Sequence, residues 1–140
     1  MQLISAIPLF AYLFVIYHVL ALLGGAGGTL LDTPLFAGTL VSGAQFTMRV
    51  NELILLLGVL CLYIEIFKAT RSGVASIFDH LFSMATFVLY LVTFLIYSKA
   101  GTATYLLLML MSCLDVVAGF TVTISTARRD VGFGREEPHG

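Results

Sequence analysis

The sequence predicts an all-α integral membrane protein whose four transmembrane helices form an antiparallel up-down bundle. Of its 140 residues, 59% are hydrophobic and only 11% are charged, whereas a typical soluble domain has roughly 25% charged residues. Four apolar segments also approach the ~20 residues that a helix needs to cross a bilayer. They lie at about residues 3–23, 52–69, 77–98 and 103–125. Residues 1–126 therefore form one predicted transmembrane domain, followed by a mobile cytoplasmic tail at 127–140.

The first segment has a cleaved signal peptide as its alternative interpretation. Small residues at 24–28 would suit a cleavage site. However, no Lys or Arg precedes the segment, and its apolar core exceeds the ~7–15 residues of a typical signal peptide. We therefore expect this helix to be retained. Pro8 falls in its first turns, where the missing N–H is tolerated.

The connection between the first two segments carries a strand pattern. Apolar and polar residues alternate from Ala44 to Val50, the period of a half-buried strand. The run Phe36–Val41 precedes it, and Ser42-Gly43 between the two runs suggests a two-residue turn. An amphipathic helix beginning at Pro34 is the alternative, but the glycines within the segment disfavour it. The sequence thus predicts a small outer β-hairpin at about residues 35–50.

The distribution of Lys and Arg predicts the orientation, because cytoplasmic connections carry an excess of both. One side of the four-helix topology has five of these residues and the other has two. The five are Lys68, Arg71, Arg128, Arg129 and Arg135, and the two are Arg49 and Lys99. We therefore expect an inner-membrane protein with both termini in the cytoplasm.

The fourth segment contains a single acidic residue near its middle, Asp115. A carboxylate at that depth costs ~3 kcal/mol or more, so it is expected to face protein. Small and polar residues share its helical face at spacings of three and four. They are Thr104, Ser112, Gly119, Thr123 and Thr126, and the apolar Leu108 fills the one gap between Thr104 and Ser112. The third segment has a matching polar stripe, which predicts that these two helices pack against each other. That stripe is Asp79, Ser83, Thr86, Tyr90, Thr93 and Tyr97.

Counting from the predicted outer helix ends sorts the polar residues into three layers. The intramembrane layer comprises Asp115, Tyr12, Tyr63, Thr86, Tyr90 and Ser112. The outer layer comprises His18, Arg49 and Glu52, and the inner layer comprises Glu65, Asp79 and His80. Each layer has a structural interpretation. The intramembrane residues would form hydrogen bonds between helices, and the inner residues would be solvated interfacial charges. In the outer layer, charged side chains would lie at the interface, and Glu52 would lie in the first turn of a helix capped by Asn51. The functional alternatives are proton or cation movement at Asp115 and a charged triad in the outer layer.

The sequence offers no familiar motif for metal, cofactor or nucleic-acid binding. His18 and His80 lie near opposite surfaces, and no HExxH, CxxC or phosphate-binding loop occurs. Cys61 and Cys113 lie within apolar segments, which is typical of small buried residues. We therefore expect no metal, no cofactor and no nucleic-acid partner.

These observations favour an accessory or scaffolding subunit that acts through helix packing. Its expected partners are the lipid bilayer and either another membrane subunit or further copies of the chain. The alternative is an oligomeric proton, cation or small-solute transporter built around Asp115. A third alternative is a small membrane enzyme or quinone-linked electron carrier that uses Glu65, Asp79 and His80.

Overall fold

The described part of the protein contains four helices and one two-stranded antiparallel sheet. The computed structural model describes residues 7–23, 29–70 and 74–133. The helices are α1 (Leu9–Leu22), α2 (Val50–Ala69), α3 (Val74–Ile96) and α4 (Ala103–Phe133), and the strands are β1 (Pro34–Thr39) and β2 (Gln45–Arg49). Short 3-10 turns lie at Leu30–Asp32 and Ser98–Ala100. The predicted helical architecture with a small hairpin between the first two helices is thus confirmed.

Three of these helices are long and apolar enough to cross a membrane. The apolar stretches are Val50–Ala69, Ile77–Ile96 and Ala103–Ser125. The first helix has only 14 residues, or about 21 Å at 1.5 Å per residue, against a hydrocarbon core of about 30 Å. The predicted start at residue 3 is wrong, because Pro8 adopts an extended conformation with ψ 142° and the helix begins after it. Residues 1–6 lie outside the described part.

The last two helices differ from their predicted limits. Helix α4 continues through Phe133, so residues 127–133, which the sequence assigned to the tail, are helical. Ala127, Arg128 and Arg129 are good helix formers, and no proline interrupts them. The remainder of the predicted tail, 134–140, lies outside the described residues. Helix α3 spans 74–96 rather than 77–98 and ends where Tyr97 turns to an extended conformation.

The hairpin has a longer loop than predicted. Its register pairs Thr39 with Gln45. Beyond that pair, the Leu40 N–H donates to the Ala44 carbonyl and the Gly43 N–H donates to the Leu40 carbonyl, both at 2.9 Å. Gly43 has a φ of 83°, which glycine adopts without steric cost. The predicted two-residue turn is therefore a three-residue loop of residues 41–43, in which the glycine provides the left-handed conformation.

The hairpin leads directly into α2. The Glu52 carboxylate accepts a hydrogen bond from the Arg49 N–H at 2.6 Å, so it caps the helix that it belongs to. Asn51, predicted to cap α2, instead lies within the first turn and donates from its side chain to the Asp32 carboxylate at 3.2 Å. The cap prediction is wrong because the strand ends at Arg49 and the helix begins at Val50, two residues before the predicted start at residue 52.

Helix α4 packs against both α2 and α3, and α1 lies against α2 and α3. Gly58 permits the close approach of α2 and α4, since a Cβ atom there would lie 2.9 Å from Leu108 Cδ2 and 3.0 Å from Met111 Sδ. The most deeply buried large side chains include Phe10 and Tyr17. This packing places one end of each helix beside the hairpin, here called the hairpin end, and the other at the far end.

Candidate functional site

Three carboxyl groups and one lysine lie close together toward the far end of the bundle. We call Glu65, Lys68, Asp79 and Asp115 the carboxylate cluster. The Lys68 ammonium lies 3.4 Å from Glu65 Oε2 and 3.5 Å from Asp79 Oδ1. Asp115 is near enough to interact electrostatically with the other three groups. The cluster therefore joins α2, α3 and α4 through charge.

Glu65 also extends the cluster to α1. Its carboxylate accepts a hydrogen bond from the Leu9 backbone N–H at 2.6 Å, and its side chain is only 4% exposed. Leu9 is the first residue of α1, where N–H groups have no partner within the helix. The partial positive charge of a helix N-terminus favours an anion there. Glu65 thus caps one helix from another while it pairs with Lys68.

Asp115 is the least satisfied member of the cluster. It is 5% exposed, and the Ser83 hydroxyl from α3 lies near enough to interact with its carboxyl group. Its Oδ2 atom and the nearby Ser112 Oγ are enclosed without a hydrogen-bond partner within the described part of the chain. Because unpaired buried polar atoms are rare and costly, these two atoms are candidate positions for binding a proton or a small polar ligand.

His80, predicted to belong to the inner polar layer with Glu65 and Asp79, contacts α4. Its Nε2 lies 2.8 Å from Thr123 Oγ1. The Thr123 hydroxyl donates to the Gly119 carbonyl at 3.0 Å, so its oxygen accepts from the His80 N–H. The imidazole ring also stacks on Phe120 at a centroid distance of 5.8 Å. In the same predicted layer, Glu65 and Asp79 are joined through Lys68.

The predicted intramembrane layer separates into buried and exposed members. Thr86, Tyr90 and Ser112 are buried with Asp115, and the Tyr90 hydroxyl donates to the Phe10 carbonyl at 3.1 Å. Tyr12 and Tyr63 do not join them, because they are 46% and 62% exposed. Counting along a helix gives the depth of a residue but not the side that it faces, so the layer included residues that point away from the interior.

The predicted outer layer does not form a triad in the structure. His18 lies on α1 among the rings of Phe14, Tyr17, Tyr97 and Tyr105, with centroid distances of 4.2 to 5.9 Å. Arg49 and Glu52 instead interact at the start of α2. Beside His18, an open cavity of about 520 Å³ lies between α1 and α3. Its lining residues are Phe14, His18, Leu22, Thr93, Ile96 and Tyr97.

Several interhelical contacts were not identified from the sequence. The Tyr17 hydroxyl lies 2.7 Å from Thr102 Oγ1, and Lys99 Nζ donates to the Ala21 carbonyl at 3.3 Å. Thr102 precedes α4 and accepts from the Tyr105 N–H at 3.2 Å. Its position before an apolar run was a usable signal for a helix cap. Nothing in the sequence pattern indicated its second partner on α1.

The fold and site define a helical protein with three apolar helices of membrane-spanning length and a polar cluster in its interior. Within residues 7–23, 29–70 and 74–133, no group of three or more His, Cys, Asp and Glu side chains is arranged to hold a metal ion. No family model matches the chain, and neither the curated proteins nor the solved structures include a significant match.

Proposed function

We propose that the protein is a multi-pass inner-membrane protein that acts as an accessory or scaffolding subunit through helix packing. The observation that carries this proposal is that charged side chains in the interior connect one helix to another. Glu65 joins α2 to α1, and Lys68 joins α2 to α3. Because these charged groups hold helices together, most of the polar interior is accounted for by architecture.

The exposed surface supports membrane insertion. Large apolar side chains point outward along all three long helices, including Leu60 at 52%, Leu95 at 72% and Ile96 at 79% exposed. Soluble monomers rarely expose contiguous apolar surface on this scale. Lipid, another membrane subunit or a second copy of the chain would cover it. The distribution of Lys and Arg supports a cytoplasmic location of the α2–α3 connection and the C-terminus.

Purification in a mild detergent tests the accessory role. We expect the 15.2 kDa chain to be recovered in a complex of defined stoichiometry, either with one membrane protein or with itself, as measured by native mass spectrometry. Chemical cross-linking in intact membranes should capture the same complex. A chain that stays folded and monomeric in both experiments contradicts the proposal.

Cysteine labelling tests the membrane topology separately. A single cysteine placed at Ser42 in the hairpin loop should react with a membrane-impermeant reagent from outside the cell. A cysteine placed at Thr70, just after α2, should react only after the membrane is permeabilised. Both variants require replacement of the two native cysteines, Cys61 and Cys113. Labelling of both sites from the same side contradicts the topology.

A proton or cation transporter is the second candidate, and the unpaired atoms at Asp115 and Ser112 favour it. Ionisable residues inside membranes often belong to proton pathways. Reconstituted protein should then carry a proton or cation flux into vesicles, and Asp115→Asn should abolish it. Absent flux, or flux that the substitution leaves unchanged, rules out this candidate and leaves the accessory role standing.

A further inference from the structure

The cavity beside His18 combines an apolar opening with a specific polar group. The Leu22 and Ile96 side chains lie at its edge and are 61% and 79% exposed. The rings of Phe14, His18 and Tyr97 form its aromatic side. With the protein in a membrane, as proposed above, such a cavity opens to lipid. Its volume of about 520 Å³ falls in the range of small-molecule sites, roughly 300–1,000 Å³.

The hydrogen bonding of His18 defines what its ring can still bind. Its Nδ1 lies 2.7 Å from the Phe14 carbonyl oxygen. A carbonyl oxygen only accepts hydrogen bonds, so Nδ1 carries the proton in this contact. In the neutral imidazole, Nε2 is then an acceptor. It is enclosed without a hydrogen-bond partner within the described part of the chain, which leaves an acceptor whose burial is not compensated.

The ligand that suits this site is lipid-soluble, has a flat ring and donates a hydrogen bond. A flat ring matches the aromatic side of the cavity, where Tyr97 already stacks on His18 at 5.7 Å with an interplanar angle of 29°. A hydroxyl donor matches the free Nε2 acceptor. An apolar tail would lie along Leu22 and Ile96 toward the bilayer.

We propose that this cavity binds a lipid-soluble hydroquinone, whose hydroxyl group donates to Nε2 of His18. The hydroquinone ring lies against Phe14 and Tyr97. Because Nε2 is enclosed, binding requires the side chains around this atom to rearrange so that the ligand hydroxyl reaches it. The oxidised quinone carries carbonyl oxygens, which only accept hydrogen bonds, so it fits the same cavity less well. The site therefore selects the reduced form.

The preference for the reduced form can be measured with one ligand in two oxidation states. We would titrate the purified full-length chain with a short-tailed benzohydroquinone, and with the corresponding benzoquinone, by calorimetry under anaerobic conditions. We expect saturable binding of the hydroquinone at one site and at least tenfold weaker binding of the quinone. The preference should disappear in His18→Phe, which retains a ring but has no acceptor. His80→Gln, at the far end of the bundle, should retain it.

Binding that does not saturate, equal affinity for the two oxidation states, or an unchanged preference in His18→Phe overturns the proposal. If His18→Phe fails to fold, a photoreactive hydroquinone bound to the wild type replaces it. Cross-links within residues 14–22 or 93–97 support the site, and cross-links elsewhere overturn it. If the wild-type chain forms a complex but does not prefer the hydroquinone, only this inference is contradicted. If the wild-type chain is a monomer that binds the hydroquinone selectively, only the accessory role is contradicted.

Discussion

The Glu65 carboxylate on α2 accepts a hydrogen bond from the backbone N–H of Leu9, the residue at which α1 begins, at 2.6 Å. The two residues are 56 positions apart in the chain. The N–H groups at a helix start have no partner within the helix, so other groups must satisfy them. Glu65 supplies a charged acceptor there, which allows the short helix α1 to begin inside the bundle.

This contact predicts a graded response to substitution at Glu65. Glu65→Gln retains a side-chain oxygen for the Leu9 N–H but loses the charge that pairs with Lys68, so we expect a loss of about 1 kcal/mol of stability. Glu65→Leu removes both interactions and should cost about 3 kcal/mol, the range for breaking a buried ion pair. Equilibrium unfolding in detergent micelles measures both values.

Glu52→Leu is the matched control for Glu65→Leu. The Glu52 carboxylate also accepts a hydrogen bond at a helix start, from the Arg49 backbone N–H at 2.6 Å. Unlike Glu65, Glu52 is exposed to solvent. Its loss should cost about 1 kcal/mol, which is typical of an N-terminal cap. Equal losses at the two positions would show that burial and the link to Lys68 add nothing at Glu65.

Asp115 provides a second prediction, because its charge and its shape can be separated. Asp115→Asn keeps the side-chain volume and a side-chain oxygen beside Ser83, so the fold should be retained. Asp115→Leu leaves the buried hydroxyl groups of Ser83 and Ser112 without this neighbour. We expect a cost of about 1–3 kcal/mol, in the range for unsatisfied buried groups. Thermal unfolding of both variants in detergent provides the comparison.

Thr121→Leu controls for the introduction of leucine into α4. Thr121 is exposed, and its hydroxyl donates to the Val117 carbonyl of its own helix at 2.8 Å. A change there should alter stability by no more than about 0.5 kcal/mol. If Asp115→Leu proved as stable as Thr121→Leu, the carboxyl group would have no structural role.

The sequence predicted the inward-facing side more accurately for some helices than for others. On α3 the polar stripe is unambiguous, and Ser83, Thr86 and Tyr90 are all buried. On α2, Gly58 and Glu65 are seven residues apart, so they share one helical face, and both residues are buried. Tyr63 lies two positions before Glu65, about 200° away around the helix. Counting depth along the helix therefore could not show that Tyr63 faces away from the interior.

The sequence carried less information about contacts between distant segments. Glu65 and Lys68 are three residues apart in one helix, a spacing at which side chains pair, and their charged groups lie 3.4 Å apart. The additional partner of Glu65, the Leu9 N–H, is a backbone group that has no sequence signature. Its position depends on where α1 begins and how α1 packs on α2. The cavity at His18 likewise arises from interhelical packing and has no local pattern.

Gly119 and His80 provide a third prediction. A Cβ atom at Gly119 would lie within 3.0 Å of two atoms of the His80 ring. Gly119→Ala must therefore displace this ring, whose Nε2 lies 2.8 Å from the Thr123 hydroxyl. We expect a loss of about 1–3 kcal/mol, as for other overpacked sites. In the His80→Ala background the same change should cost much less. Additive losses in this double-mutant cycle would show that the two residues do not interact.

The hairpin loop provides the last prediction, because Gly43 has a φ of 83°. A side chain at this φ costs roughly 1–2 kcal/mol, so Gly43→Val should increase the hydrogen-exchange rate of the paired β1 and β2 amides. Gly43→Asn should have a smaller effect, since asparagine tolerates left-handed conformations. Ser42→Ala is the neighbouring control, because no residue other than glycine has a positive φ in the described ranges. The amides of α2 should exchange at unchanged rates in all three variants, and equal hairpin exchange in Gly43→Val and Ser42→Ala would contradict the conformational role of Gly43.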